Sequence, residues 1–109
     1  MARVLIAEPV EEVRLLLGIV VRRLGHDPVD LGVDAERPPE VDAAIVEPGG
    51  AGGLALARRL RDRGVPVLFA SIYAVDAAAL GVGPAAYLVK PFPLAALEGA
   101  LRAALRGAA

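Results

Sequence analysis

The sequence predicts an α/β fold in which one parallel β-sheet carries helices on both faces. Short, continuous apolar runs alternate along the chain with segments that repeat apolar residues at helical spacing. The apolar runs show no alternation of polar and apolar residues, which is typical of strands buried on both faces. Two of these runs, VLIAEP at 4–9 and AAIVEP at 43–48, end alike in a glutamate followed by a proline. Strands and helices that alternate in this order form parallel sheets.

The first third of the chain predicts a strand, a helix and a second strand. RVLIA at 3–7 is a continuous apolar run, and PVDL at 28–31 is a short second strand. Between them, residues 11–24 are predicted to form a helix with acids in its first turn and arginines near its end, which suits the helix dipole. Pro9 and Gly25 suit the boundaries of this helix. Its apolar residues at helical spacing are Val13, Leu16, Leu17, Val20 and Leu24.

The rest of the chain predicts three more strands and two more long helices. The strands are AAIVE at 43–47, VPVLFA at 65–70 and AYLV at 86–89. LALARRLRDR at 54–63 predicts a helix that follows a Gly-rich loop and is closed by Gly64. Pro93 starts the final helix. The apolar face of that helix is predicted to hold Leu94, Leu97, Leu101, Ala104 and Leu105.

Two segments between predicted strands have sequences unsuited to a full crossover helix. Residues 32–40 (GVDAERPPE) contain two prolines and too few residues, so we expect a missing helix or a single turn there. Residues 72–85 allow about two helical turns before Gly81, Gly83 and Pro84 interrupt them. A stunted helix is therefore predicted before the last strand.

Composition bounds the class of protein. The 109 residues, 56% hydrophobic and 23% charged, predict a single domain over 1–109. The absence of cysteine excludes disulfides and thiolate sites. No apolar run reaches the roughly 18 residues of a membrane span, and the N-terminus lacks a signal-peptide pattern, so we expect a cytoplasmic protein. A net charge of −1 gives no electrostatic basis for binding nucleic acid.

Four polar side chains follow predicted strands directly. Ligands of open parallel sheets bind at the carboxyl ends of the strands, so these residues are the candidate site. They are Glu8, Glu47, Ser71 and Lys90. Polar residues also occur at strand ends because these ends meet solvent, and spacing alone leaves that explanation open. Lys90, however, is the only lysine among 12 basic residues, and arginine replaces a compact ammonium charge poorly.

The same stretches resemble a response-regulator receiver domain, the flavodoxin-like module of two-component and phosphorelay signalling. The resemblance spans nearly the whole chain, and YLVKPF is its most specific part. It implies a three-layer sandwich around a five-stranded parallel sheet with strand order 2-1-3-4-5. The stretches that carry it are RVLIAEPVEEVRLLL, VDAAIVEPGG, VPVLFAS and AAYLVKPFPLAALEGAL.

The resemblance assigns roles to individual positions. Lys90 matches the lysine that pairs with the phosphoryl group, and its bond to Pro91 is expected to be cis. Ser71 matches the switch hydroxyl and Tyr87 the switch aromatic residue. Glu47 falls on the phosphoacceptor aspartate. Glu8 and Pro9 fall on the acidic pair that holds Mg²⁺.

Three departures from the family pattern predict a pseudo-receiver without phosphorylation. Glu47 carries one more methylene than aspartate, and a misplacement of about 1 Å can reduce a rate about 100-fold. Pro9 removes one metal ligand, which leaves only Glu8 and Glu47 as weak candidates for Mg²⁺. Gly49–Gly50 shortens the loop that follows. We therefore expect no catalytic residue, no cofactor and no enzymatic activity.

The resemblance leaves three interpretations of Glu47. It imitates a phosphorylated aspartate and biases Ser71 and Tyr87, or it forms a structural ion pair with Lys90. The third interpretation is a phosphorylatable receiver in a phosphorelay. Mimicry is limited by charge, because a carboxylate carries −1 where a phosphoryl group carries about −2.

A different class of function is suggested by GAGGLA at 50–55. This stretch fits the G-x-G-x-x-A fingerprint of dinucleotide-binding folds between a strand and a helix. It follows the third strand instead of the first, and no acid ends the strand about 20 residues on. A nucleotide-binding module is kept as the lesser alternative to a simple Gly-rich loop.

The last strand and last helix are the predicted contact surface. Receivers commonly dimerise or bind targets there, and LAALEGALRAALRG at 94–107 is richly apolar. We expect a protein partner or a homodimer through this surface, with no membrane and no nucleic-acid partner.

Overall fold

Five parallel strands form one sheet in the computed structural model of the protein. The structure describes residues 1–31, 37–49, 52–73 and 76–107. The order across the sheet is second, first, third, fourth, fifth strand, which confirms the predicted topology. The third strand therefore lies at the centre, between the first and fourth strands. The strands are β1 (Arg3–Ala7), β2 (Asp27–Asp30), β3 (Ala43–Val46), β4 (Val67–Ser71) and β5 (Ala86–Val89).

Four helices cover the two faces of the sheet within the described residues. They are α1 (Glu11–Arg23), α2 (Gly53–Asp62), α3 (Ala77–Gly81) and α4 (Leu94–Gly107). The five residues of α3 confirm the stunted helix predicted before β5. Residues 37–42 form no helix, while 32–36 of the predicted weak crossover lie outside the described residues. Among the helices described, none has the length and apolar character needed to cross a membrane.

The core consists of two apolar clusters, one on each face of the sheet. Residues of α1 and α4, such as Val21 and Leu101, pack against one face. Residues of α2 and α3, such as Leu60 and Ala79, pack against the other. All residues of β3 and β4 are buried, because helices cover both sides of these central strands. Their continuous apolar sequences are the consequence of this double coverage.

Several predicted positions shift for identifiable physical reasons. The strand predicted at 65–70 begins after Pro66, which has no amide hydrogen to donate to a neighbouring strand. Two residues assigned to apolar helix faces, Leu16 and Leu94, are exposed instead. In α1 the buried face includes Val21, so the helix is rotated relative to the face that the sequence spacing suggested.

The register of the parallel strands positions the candidate site. β1 pairs with β3 so that Ala7 lies beside Val46, and the amide of Glu47 donates to the carbonyl of Ala7 at 3.0 Å. On the other side, the amide of Lys90 donates to the carbonyl of Ser71 at 2.7 Å. These main-chain bonds continue the sheet by one residue. They bring the side chains that follow β1, β3 and β5 to one edge.

A close main-chain approach fixes the start of α2 against the end of β3. A Cβ atom on Gly53 would lie 2.3 Å from the carbonyl oxygen of Glu47 and 3.1 Å from the Cα of Pro48. Both neighbours are backbone atoms, so neither can rotate away. Only glycine allows α2 to begin this close to Glu47.

We expect Gly53→Ala to lower the free energy of unfolding by about 2 kcal/mol, because the added methyl overlaps the Glu47 carbonyl. Gly99→Ala is the matched control, since a Cβ there meets nothing within 4 Å in the middle of α4. The control should stabilise the protein by about 0.5–1 kcal/mol through helix propensity. Urea unfolding followed by circular dichroism measures both. Equal stabilities of the two variants would contradict the described packing of α2.

Candidate functional site

One ammonium group joins two carboxylates at the carboxyl edge of the sheet. The Nζ of Lys90 donates to Oε1 of Glu8 and, at 3.1 Å, to Oε2 of Glu47. Only 15% of the Lys90 side chain, 3% of Glu8 and 10% of Glu47 are exposed. The structure thus brings together three of the four predicted site residues as a largely buried ion-pair cluster.

The environment of Lys90 acts on its pKa in two opposite directions. Burial disfavours the charged ammonium and would by itself lower the pKa of Lys90. The hydrogen bonds and negative charges of Glu8 and Glu47 act the other way and prevail. The pKa of Lys90 is raised from its ordinary value of 10.5, and the lysine carries its charge at neutral pH.

The second oxygen of Glu47 also has a partner. The amide of Gly49 donates to Oε1 of Glu47 at 2.8 Å, which closes a tight turn two residues after the glutamate. Both carboxylate oxygens of Glu47 are therefore hydrogen-bonded, one by Gly49 and one by Lys90. The side chain is held by its own loop on one side and by the ammonium on the other.

The side chain of Glu8 is more deeply buried than that of Glu47. Its Oε2 lies 3.4 Å from the amide of Val10, at the first turn of α1. Its main-chain carbonyl accepts from Nη1 of Arg14 at 3.1 Å. The turn between β1 and α1 therefore fixes both the carboxylate and the backbone of this residue.

Ser71 lies at the same edge but in a separate hydrogen-bond group. Its buried Oγ accepts from the amide of Tyr73 at 3.1 Å, and among the described residues no hydrogen bond joins it to Glu47 or to the Lys90 side chain. The hydroxyl of Tyr87 donates to the carbonyl of Tyr73 at 3.2 Å. Tyr73 thus connects the two predicted switch residues.

Sequence reasoning missed Tyr73. The signal available was its position two residues after Ser71, since a serine hydroxyl often accepts from the amide at i+2. Tyr87 further packs its ring edge against Phe69, with ring centroids 5.9 Å apart and an interplanar angle of 65°. Its role as a switch residue remains a prediction. The bond between Lys90 and Pro91 is cis, as expected.

The side chains at this edge do not fit a Mg²⁺ site. Magnesium needs near-octahedral oxygen ligands, and receivers supply an acidic pair together with the phosphoacceptor. By the family resemblance, Pro9 stands where receivers carry one of these acids, and the carboxylates of Glu8 and Glu47 already pair with the ammonium of Lys90. In the described part of the chain, no group of three or more acidic or histidine side chains could hold a metal ion.

A cavity of about 480 Å³ adjoins the cluster on the side of β2. Its walls include Arg14, Asp30 and Leu56, together with Glu8 and Glu47. A small molecule that enters this cavity therefore reaches the ion-pair cluster. Its volume lies in the range typical of ligand pockets, roughly 300–1,000 Å³.

The Gly-rich stretch at 50–55 lies only partly within the described structure. Residues 50 and 51 fall outside the described residues, while Gly52 and Gly53 line the cavity at the start of α2. The close approach of Gly53 to Glu47 gives that glycine a packing reason. A nucleotide is not needed to account for it.

Comparison with known proteins places this geometry in context. No protein-family model and no curated protein matches the chain. Solved structures do match it. The signal receiver domain of a modulated diguanylate cyclase from Desulfovibrio desulfuricans G20 is 26% identical with a TM-score of 0.80, over 99% of this chain and 96% of that chain. This chain has the receiver fold.

Two further structures extend the likeness of this receiver-like chain. A response regulator from Thermotoga maritima is 22% identical with a TM-score of 0.78, over 95% of this chain and 97% of that one. The chemotaxis protein CheY4 from Vibrio cholerae is 19% identical with a TM-score of 0.80, over 96% and 99%. Both likenesses support the receiver fold of this chain.

Replacing Lys90 tests the ion-pair cluster. We expect Lys90→Met to lower the free energy of unfolding at pH 7 by about 3 kcal/mol, because two buried carboxylates lose their counter-charge. The pKa of Lys90 is raised in the folded protein, so its contribution is complete below pH 10.5 and is lost as pH rises through the folded pKa. The stability difference between wild type and variant should therefore shrink above pH 10.5.

Urea unfolding at neutral pH and across the alkaline range measures this difference. Arg102→Met removes an exposed cation of α4 and serves as the control, with an expected effect within about 0.5 kcal/mol. A difference between Lys90→Met and wild type that stayed constant through the alkaline range would contradict a charged Lys90 as its origin.

Proposed function

We propose that the chain is a phosphorylation-independent signalling module that acts through protein–protein contact, with Glu47 in place of the phosphoacceptor aspartate. The observation that carries the proposal is the state of the Glu47 carboxylate. One oxygen accepts from Gly49 and the other from Lys90. The group that would attack a phosphoryl donor is already engaged on both sides.

The charge of the cluster supports the same proposal. Phosphoryl transfer depends on positive charge around the phosphoryl oxygens and on an aligned attacking oxygen. Here the ammonium of Lys90 faces the carboxylates of Glu8 and Glu47, so the three groups carry one negative charge in excess. This excess negative charge repels an incoming anionic phosphoryl group. Because position 9 is a proline and supplies no carboxylate, a metal ion is not held there to offset the repulsion.

The hydrogen bonds favour a structural ion pair over a mimic of phosphoaspartate. A mimic has to act on the switch hydroxyl, yet Ser71 accepts from Tyr73 and the oxygens of Glu47 are directed to Gly49 and Lys90. We propose that Glu47 neutralises Lys90 and holds the edge of the sheet in one arrangement. The module then signals through its surface in a constant state, without a cofactor and without enzymatic activity.

We propose that a protein partner in the cytoplasm contacts the surface formed by β5 and α4. Val89 and Leu94 are the exposed large apolar residues there, while Leu97 and Leu101 of α4 are buried in the core. The exposed remainder of the helix is rich in alanine and arginine. A partner with an apolar centre and acidic rim fits such a surface.

Phosphodonor treatment tests the proposed loss of phosphorylation. We expect intact mass spectrometry to show no phosphoryl adduct after the protein is incubated with acetyl phosphate and Mg²⁺. The double variant Pro9→Asp/Glu47→Asp places aspartates at both positions and should gain phosphorylation at residue 47 that hydroxylamine removes, as expected of an acyl phosphate. A stable phosphoryl adduct on Glu47 of the wild type would overturn the proposal in favour of a phosphorylatable receiver.

The Glu47→Ala variant separates structural pairing from mimicry. We expect its largest NMR shift changes at Glu8, Gly49 and Lys90 and at the Tyr73 ring beside Gly49, with little change at Tyr87, because the oxygens of Glu47 bond to Gly49 and Lys90. Ser71→Ala is the matched comparison, since it should shift the amide of Tyr73 and Tyr87 instead. Large changes at Tyr87 in Glu47→Ala would instead support mimicry.

A further inference from the structure

The exposed face of α1 carries acidic, apolar and basic side chains in that order along the helix. Every residue of this stripe is exposed, and the stripe runs along the whole helix. Acids occupy its first turn, large apolar side chains its centre and arginines its last turn. The stripe consists of Glu11, Glu12, Leu15, Leu16, Ile19, Arg22 and Arg23.

The centre of the stripe is an apolar patch. Leu15 is 60% exposed, Leu16 49% and Ile19 51%. Residues three and four apart are neighbours on a helix surface, so these three side chains form one contiguous patch. Contiguous exposed apolar patches with polar rims are typical of interaction sites.

The charges at both ends of the stripe are available for an outside partner. Within the residues that the structure describes, none of the four charged side chains on the stripe makes an ion pair. Glu11 and Glu12 lie at one end of the apolar patch and Arg22 and Arg23 at the other. A partner surface with the opposite order of charges is complementary to it.

A second copy of the stripe presents that opposite order of charges when its helix runs in the reverse direction. Glu11 and Arg23 are equally distant in sequence from Leu17, and so are Glu12 and Arg22. Leu15 and Ile19 are likewise equally distant from Leu17. A second α1 laid antiparallel across the first therefore sets acids against arginines at both ends and Leu15 against Ile19 in the middle.

We propose that α1 pairs with α1 of a second copy of this chain and forms a two-fold symmetric dimer. A two-fold interface uses the same patch on both subunits, which requires a self-complementary surface such as this one. A parallel pairing would set acids against acids and arginines against arginines. The charges therefore specify the antiparallel arrangement as well as the partner.

The size of the stripe sets the strength of the dimer. A 13-residue helix is about 20 Å long, so a contact centred on it buries less than the roughly 1,200–2,000 Å² of a standard interface. The dimer is therefore weak and reversible, and salt weakens it further by screening its end charges. The stripe shares no residue with the surface of β5 and α4, so separate variants test the two proposals.

Light scattering and sedimentation on the purified chain test the dimer. We expect the average mass to rise from monomer to dimer with concentration, and the rise to need higher concentration in high salt. Glu11→Arg/Glu12→Arg and Arg22→Glu/Arg23→Glu should each be monomeric at concentrations where wild type is dimeric. An equimolar mixture of the two variants should recover the dimer, which also shows that both are folded.

Controls separate this surface from the one proposed for β5 and α4. Arg102→Glu/Arg106→Glu reverses two exposed charges of α4 and should leave the dimer unchanged. Loss of the dimer in this control and not in the α1 variants would overturn the proposal and move self-association to α4. A wild-type chain that stays monomeric at millimolar concentration in low salt would also overturn it.

Cysteine substitution tests the antiparallel geometry, since the chain contains no cysteine of its own. Leu16 lies next to the proposed two-fold axis, so Leu16→Cys should form a disulfide-linked dimer under mild oxidation. Arg23 lies at the end of the helix, far from its own copy in an antiparallel pair, and Arg23→Cys should remain monomeric. Efficient cross-linking of Arg23→Cys with none of Leu16→Cys would contradict the proposed arrangement.

Discussion

The contact between the single lysine and two buried carboxylates is the interaction on which the candidate site depends. Three separate strands end at this point, and main-chain bonds alone would leave two negative side chains facing each other in a poorly solvated space. The ammonium of Lys90 offsets that repulsion and links the end of β5 to the ends of β1 and β3. Buried charges left without a partner are strongly destabilising, so none of the three groups is free to vary alone.

The same contact supports the proposal that this receiver fold acts without phosphorylation. A phosphoacceptor site has to hold an attacking oxygen free and a metal nearby. In this chain Glu47, which the family resemblance sets at that position, is bonded by Gly49 of its own loop and by Lys90, and Pro9 stands where the resemblance implies the adjacent acid. The arrangement is satisfied as it stands, with no buried side-chain polar atom lacking a hydrogen bond among the described residues. A satisfied site has little tendency to rearrange.

The sequence predicts both the fold and the convergence of the charged residues for one shared reason. Continuous apolar runs identify buried parallel strands, and parallel strands end at one edge, so Glu8, Glu47 and Lys90 had to converge. Finer features depend on geometry that periodicity does not contain. The partner of Ser71 follows from the path of the loop to Tyr73, and the exposure of Leu16 follows from the rotation of α1 on the sheet. Both are set by packing between distant segments.

The solitary lysine has a practical consequence for the chemistry of the molecule. Apart from the terminal amine of Met1, Lys90 supplies the only primary amine in the chain. An amine-directed acylating reagent therefore has one internal target, and that target reacts only when its ammonium leaves both carboxylates and loses a proton. The rate of acylation at Lys90 therefore measures how often the ion-pair cluster at the sheet edge opens. The measurement needs no label introduced beforehand and applies to the isolated protein and to mixtures with other molecules.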